Sequence, residues 1–198
     1  KPTQRVVHVD MDYVYDANPV QLNKNLDALI ERIKQYGVST VYLQAYSDPD
    51  GNGVADALYF PNRHLPVRAD LMNRVAGQLM TRSGVSVYAW MPMLAFNLGE
   101  GFEYVTDART QKPSTESYLR LSPYSEKNRR IIQEIYQDLG FYSKFDGILF
   151  HDDGFLTDFE GPIGVGARTS TQMNEEASRK TQDLIDFTQT LKNAAGQY

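Results

Sequence analysis

The sequence has no cysteine. This excludes disulfides, thiol nucleophiles and thiolate metal sites, and it leaves the compartment open. No apolar run approaches the roughly 18 to 20 residues that a membrane-spanning helix needs. Positive charge is not in excess: 20 Lys and Arg stand against 25 Asp and Glu, a formal net charge of −5. A nucleic-acid partner is therefore not expected. Histidine is scarce. Only His8, His64 and His151 occur, and no two lie four residues apart, so a two-histidine metal motif is missing. The opening "KPTQRVV" has no apolar signal core, so the chain is expected to start either mature or internally cut.

What remains is one domain's worth of sequence. The 198 residues, 41% hydrophobic, suffice for a single sizeable core, taken as residues 1–198. Aromatics are plentiful, with 13 Tyr, 9 Phe and one Trp. Many sit beside polar residues. That suits rings stacked on the apolar faces of sugars, and it equally suits ordinary core and rim tyrosine.

The hydrophobic pattern alternates between strand and helix. "RVVHVDMDYVY" reads as a first strand, with His8, Asp10 and Asp12 on one face. Leu22, Leu26, Leu29, Ile30 and Ile33 then recur at helical spacing, with Gly37 as the stop. "VSTVYLQAYSD" is the second strand. The next helix starts at Asp70 as N-cap and stops at Gly84. "VSVYAWMPML" is the third strand. A third helix opens with Ser122 as N-cap and Pro123 at its first position. "FDGILF" is the fourth strand. "GPIGVGARTS" reads as a glycine-rich loop, mobile or lid-like. The last helix begins with a capping box between Thr169 and Gln172.

Strands that read as apolar runs separated by helices imply a parallel sheet. The glycine fingerprint of a dinucleotide fold is absent after the first strand. Polar and aromatic residues gather at every strand's C-terminal end, the face on which barrel enzymes build their sites. The expected fold is thus α/β, a (β/α)8-type (TIM-like) barrel. This chain covers about its first four βα units, since a full barrel takes roughly 250 residues.

Several clusters could carry chemistry. His8, Asp10 and Asp12 fit an inward carboxylate pair that grips hydroxyls or amines, a metal ligand set, or buried polar residues that fix loops. "SDPDGNG" imitates a calcium loop, but its twelfth position is Tyr59 where a bidentate Glu is needed, so it reads as a tight turn. Arg63 and His64 lie in a proline-punctuated loop and fit either ligand binding or loop structure. Trp90 at a strand end fits a floor for a sugar ring, or a core position. "FHDDGFLTDFE" brings Asp152, Asp153, Asp158 and Glu160 into nine positions. Glycosidic cleavage needs a protonated carboxylic acid and a second group supporting the oxocarbenium-like transition state. Neighbouring carboxylates raise each other's pKa. Parity would place Asp152 and Asp153 on opposite faces of a continued strand. A Lys at a strand end, as a Schiff-base enzyme would use, is not found.

Several long blocks together carry a resemblance: "HVDMDYVYD", "VSTVYLQAYSDPDGNG", "LYFPNRHLPVRADLMNRVAGQLMTRSGVSVYAWMPML", "RLSP" and "FDGILFHDD". They resemble the C-terminal hydrolase domain of the PgaB-type poly-β-1,6-N-acetyl-D-glucosamine (PNAG) deacetylases, over about Val6 to Glu160. The resemblance implies a modified barrel that binds partly deacetylated PNAG, a biofilm polymer, and cleaves it as an endo-acting glycosidase. A module that only binds the polymer and assists its deacetylation and export is the alternative. It also implies a periplasmic parent, tied to the outer membrane as a lipoprotein and working with an export pore, whose metal-dependent deacetylase domain is absent here. No metal or cofactor is expected in this chain. Asp153 is the expected general acid and Asp152 the supporting or nucleophilic carboxylate. Asp10, Asp12, Tyr13, Tyr46, Arg63, His64, Trp90, His151, Asp158 and Glu160 are the expected substrate-binding residues.

Overall fold

The structure is a computed structural model that describes residues 4–114 and 117–197. In chain order its elements are β1 Val6–Asp10, a 3₁₀ turn Met11–Tyr13, α1 Pro19–Gln35, β2 Thr40–Gln44, β3 Tyr46–Ser47 and β4 Ala57–Leu58. Then come α2 Met72–Ser83, β5 Ser86–Met91, β6 Thr106–Asp107, β7 Lys112–Pro113, α3 Glu126–Tyr142, β8 Gly147–Phe150 and α4 Ser170–Ala194. β1, β2, β5 and β8 form one parallel sheet in that order. β3–β4 and β6–β7 are short antiparallel pairs above it. The fold is α/β of the TIM-like barrel type. Among the described residues β1 and β8 each pair with one neighbour only, so both are edges.

The register sorts the strand residues onto two faces. Val41, Leu43, Val87, Ala89 and Met91 point to one side and pack with Leu26, Ile30, Val75, Leu79, Ile132, Ile135 and Leu139 of the helices. The opposite face carries His8, Tyr42 and Tyr88 at one level and Asp10, Gln44, Trp90 and Leu149 at the next. The strands are therefore not uniformly apolar. They alternate, with aliphatic side chains under the helices and aromatic or polar ones on the concave face. His8 lies edge-on to Tyr42 and Trp90, and Tyr42 edge-on to Tyr88. Gly147 is the place for glycine here, because a Cβ would run into the Tyr88 ring.

Helix ends follow local chemistry in part. Asn18 caps α1 and Pro19 opens it; Leu22, Leu26, Leu29, Ile30 and Ile33 are buried. The Thr169–Gln172 capping box opens α4. Gly84 ends α2 in the left-handed conformation. Two expected caps differ. Asp70 does not cap α2, because the Tyr59 carbonyl accepts from the N–H groups of Leu71 and Met72 instead. α3 starts later than Ser122, at Glu126, with the Ser125 side chain accepting from the Asn128 N–H. The expected lid loop is tied down: Glu176 pairs with Arg168 and accepts from the Gly164 N–H at 2.5 Å.

Candidate active site

The parallel strands deliver their C-terminal ends to one rim, and the chain turns sharply at two of them. At β1 the strand ends at Asp10, whose carboxylate accepts from the Asp12 N–H at 2.8 Å and starts the 3₁₀ turn. Asp12 therefore leaves the strand face that His8 and Asp10 share. Its two oxygens accept from Ser47 Oγ (2.7 Å), the Asp48 N–H (2.9 Å) and the Tyr59 hydroxyl. Asp12 is a tie between turns, with both oxygens engaged by the chain itself. Asp10 stays half-buried; burial pushes its carboxyl up, the Asp12 N–H opposes this, and the Asp12 charge adds to it. Tyr13 is 85% exposed at the same rim.

At β8 the strand ends at Phe150, and the His151 N–H donates to the Met91 carbonyl at 2.8 Å. Asp152 and Asp153 then form a turn, so strand parity does not decide where they point. Asp153 is fully buried and accepts from the N–H groups of Met93, Leu94 and Ala95 at 2.6 to 3.1 Å. It closes the open amides beyond β5. Burial pushes its carboxyl up while those amides pull it down.

Asp152 is the reverse case, with a side chain 77% exposed. Its Oδ1 accepts from the Tyr118 hydroxyl at 2.8 Å and lies 3.2 Å from His151 Nδ1. Its Oδ2 has no hydrogen-bond partner among the described residues. The Tyr118 hydroxyl is pushed up to about 12, first by that bond and then by burial. His151 sits within aromatic contact of Tyr118 (4.8 Å between ring centres), Trp90 (5.9 Å) and Tyr46 (6.2 Å). Tyr46 is buried, and burial raises its hydroxyl. Asp152, His151, Tyr118, Trp90 and Tyr46 thus form one continuous patch. Beside it a cleft of about 320 Å³ is lined by His151, Asp152, Phe155, Leu156 and Lys180, among others. A second cleft, of about 640 Å³, is lined by Asp107, Arg109, Ser117, Phe155 and Glu160, among others. Phe155 lines both.

Other expected site residues go elsewhere. Arg63 pairs with Asp138 (3.2 Å) and Glu134 (3.3 Å) on α3, and His64 Nε2 lies 3.0 Å from Glu134. These contacts staple the loop after β4 to the outer helix layer. Glu160 is buried, with Arg120 Nη2 and Ser114 Oγ each 2.5 Å away. Burial alone would raise it; the bonds from Arg120 and Ser114 outweigh that and hold it below the ordinary range. Asp158 is exposed on the same loop. Tyr118 was missed by sequence reading. Its signal was faint: a tyrosine two residues before the arginine of "RLSP". The turn glycine Gly53 makes room for it, since a Cβ there would strike the Tyr118 ring. "SDPDGNG" is a turn, with Gly51 and Gly53 at positive φ. It brings carboxylate oxygens of Asp48, Asp50 and Asp56 within 4.8 Å of one another, a grouping in which Asp56 was not foreseen.

Residues 8–198 match the model of the family described as Hypothetical glycosyl hydrolase family 13. The poly-beta-1,6-N-acetyl-D-glucosamine N-deacetylase of Escherichia coli K12 is 42% identical over 96% of this chain, which spans 31% of that protein's length. The solved PgaB (BpsB) glycoside hydrolase domain from Bordetella bronchiseptica is 44% identical, with a TM-score of 0.88, over 98% of this chain and 61% of that one. A hypothetical protein from Ruminiclostridium thermocellum, 11% identical at a TM-score of 0.64 over 94% of this chain and 91% of that one, shares the fold. The chain belongs to Hypothetical glycosyl hydrolase family 13.

Proposed function

We propose that this chain is the N-terminal part of a barrel hydrolase domain, residues 1–198, that cleaves partly de-N-acetylated β-1,6-linked poly-N-acetylglucosamine internally. The observation that carries the reading is the Asp152 carboxyl. It is exposed at the strand ends, oriented through Oδ1 by Tyr118 and His151, and open at Oδ2. Asp152 takes the role of general acid that the sequence suggested for Asp153. Its free oxygen donates the proton to the leaving glycosidic oxygen. The charge growing at the anomeric carbon is met by a second carboxylate or by the substrate's own acetamide. Asp153 acts behind it, as the anchor that sets the turn.

The remaining groups bind the polymer. Trp90 and the exposed Tyr13 offer ring faces to sugars. Asp10 and Asp158 give the rim negative charge, which draws a polymer that is cationic wherever an acetyl group has been lost. The two clefts that share Phe155 suit a chain that runs past the acid, as internal cleavage requires. On the same reading the parent protein is periplasmic, an outer-membrane lipoprotein serving an export pore, with deacetylation on a separate domain; the similarity to a PNAG deacetylase supports this.

The test uses full-length protein, partly deacetylated polymer and mass spectrometry of the products. Shorter oligomers are expected from the wild type. Asp152→Asn is expected to slow shortening by about 100-fold or more while it still retains oligosaccharide. Polymer held but never shortened by the wild type would replace the enzyme with a binding module.

A further inference from the structure

Tyr118 and Asp152 come from different loops, and neither loop is part of a helix or of the main sheet. Something must hold them in register. Arg120, a fully buried side chain, reaches from the Tyr118 segment to the segment that follows Asp152. Its Nε donates to the Tyr118 carbonyl at 3.2 Å. Its Nη1 donates to the Phe155 carbonyl. Its Nη2 donates to Ser117 Oγ at 3.1 Å and to Glu160 at 2.5 Å. Its guanidinium lies over the Phe155 ring, 4.3 Å from the centre. One planar fork therefore binds the segment carrying Tyr118 and the segment that follows Asp152. Lys180 secures the second segment from the other side, donating from α4 to the Thr157 and Glu160 carbonyls at 2.8 and 3.0 Å.

A buried guanidinium is costly to desolvate, and an apolar side chain of similar volume would often hold a fold as well. What an apolar residue cannot do is fix two loops through directed bonds. Arginine's five donors in a rigid plane can, and lysine's single ammonium cannot reproduce the fork. We propose that Arg120 is a positioning residue for cleavage. It sets the meeting of the Tyr118 hydroxyl with Asp152 and thereby the direction of the free Asp152 oxygen. This rests on the reading of Asp152 as the acid.

The experiment is a double-mutant cycle in the full-length protein, with kcat and KM measured separately on partly deacetylated polymer. Arg120→Lys and Tyr118→Phe are each expected to lower kcat about 10- to 100-fold, the size of effect that a misplacement near 1 Å produces, with KM within about twofold. The double variant is expected to be no slower than the slower single one, because both changes break the same contact. A merely structural arginine would give losses that multiply, or a fall in bound polymer alongside kcat. Either of those, or a folded Arg120→Lys with wild-type kcat, overturns the proposal. If Arg120→Lys does not fold, Glu160→Gln takes its place in the cycle, since it loosens the fork and leaves the arginine, and the same outcomes decide. Asp152→Asn is run alongside. Full activity there overturns the reading of the acid itself, whereas an inactive Asp152→Asn beside a fully active Arg120→Lys overturns the positioning role alone.

Discussion

Asp153 is enclosed and accepts from three consecutive backbone amides, while Asp152, one residue earlier, faces solvent and accepts from a tyrosine. Substitution should separate them by stability as well. Asparagine at 153 puts a buried N–H donor against backbone N–H donors, Met93 alone at the Oδ1 position or Met93, Leu94 and Ala95 at the Oδ2 position, groups with no other hydrogen-bond partner among the described residues. Leaving buried donors unsatisfied costs about 1–3 kcal/mol, so Asp153→Asn is expected to lower the midpoint of denaturant unfolding by an amount in that range. Asp152→Asn loses an exposed contact and is expected to stay within about 0.5 kcal/mol of wild type. Matching midpoints for the two variants would reject the division of labour. The sequence could not show this difference. The two residues are identical in type, and the amides that hold Asp153 lie 58 to 60 positions earlier in the chain.

Secondary structure was legible wherever its cause was local. The apolar spacing of α1, the glycine that ends α2 and the capping box of α4 are all settled within a few residues of one another. The start of α2 was not, because a carbonyl from Tyr59 replaces the Asp70 side chain that sequence alone would choose. The meeting of α3 and α4 is another non-local matter. Gly140 sits inside α3, and a Cβ there would strike the backbone of Ala195 just beyond α4. In a free helix, alanine for glycine would gain about 1 kcal/mol. Here the neighbour is main chain and cannot turn aside, and overpacking typically costs about 1–3 kcal/mol. Gly140→Ala is therefore expected to lower the melting temperature. A rise would mean that the helices cross further apart.

At the scale of the molecule, the alternation of strand and helix was enough to suggest a barrel-type parallel sheet, and the strand ends were correctly seen as the rim. What the pattern hid was which polar groups the fold uses up in its own support. Arg63, His64, Asp12 and Glu160 all looked available, and each is bound to another part of the chain. The loop from Thr157 to Arg168 shows the consequence, since buried carboxylates hold it: Glu160 to Arg120, and Glu176 to Arg168 and the Gly164 N–H. Both carboxyls sit below their ordinary value of 4.5, because burial, which would raise them, is outweighed by hydrogen bonds and cationic partners. The folded state thus binds these protons less readily than the unfolded chain does. The stabilisation is complete above about pH 4.5 and is lost as pH falls through the lowered folded values. Melting temperature is accordingly expected to hold near neutrality and to fall steeply below about pH 4.5. Glu160→Gln should melt lower than wild type at pH 7, because the Arg120 charge then stays buried without its partner. As acid removes the same charge from the wild type, the gap between the two should narrow. A gap that stays constant from pH 7 to pH 3 would show that the Glu160 charge does not hold this loop.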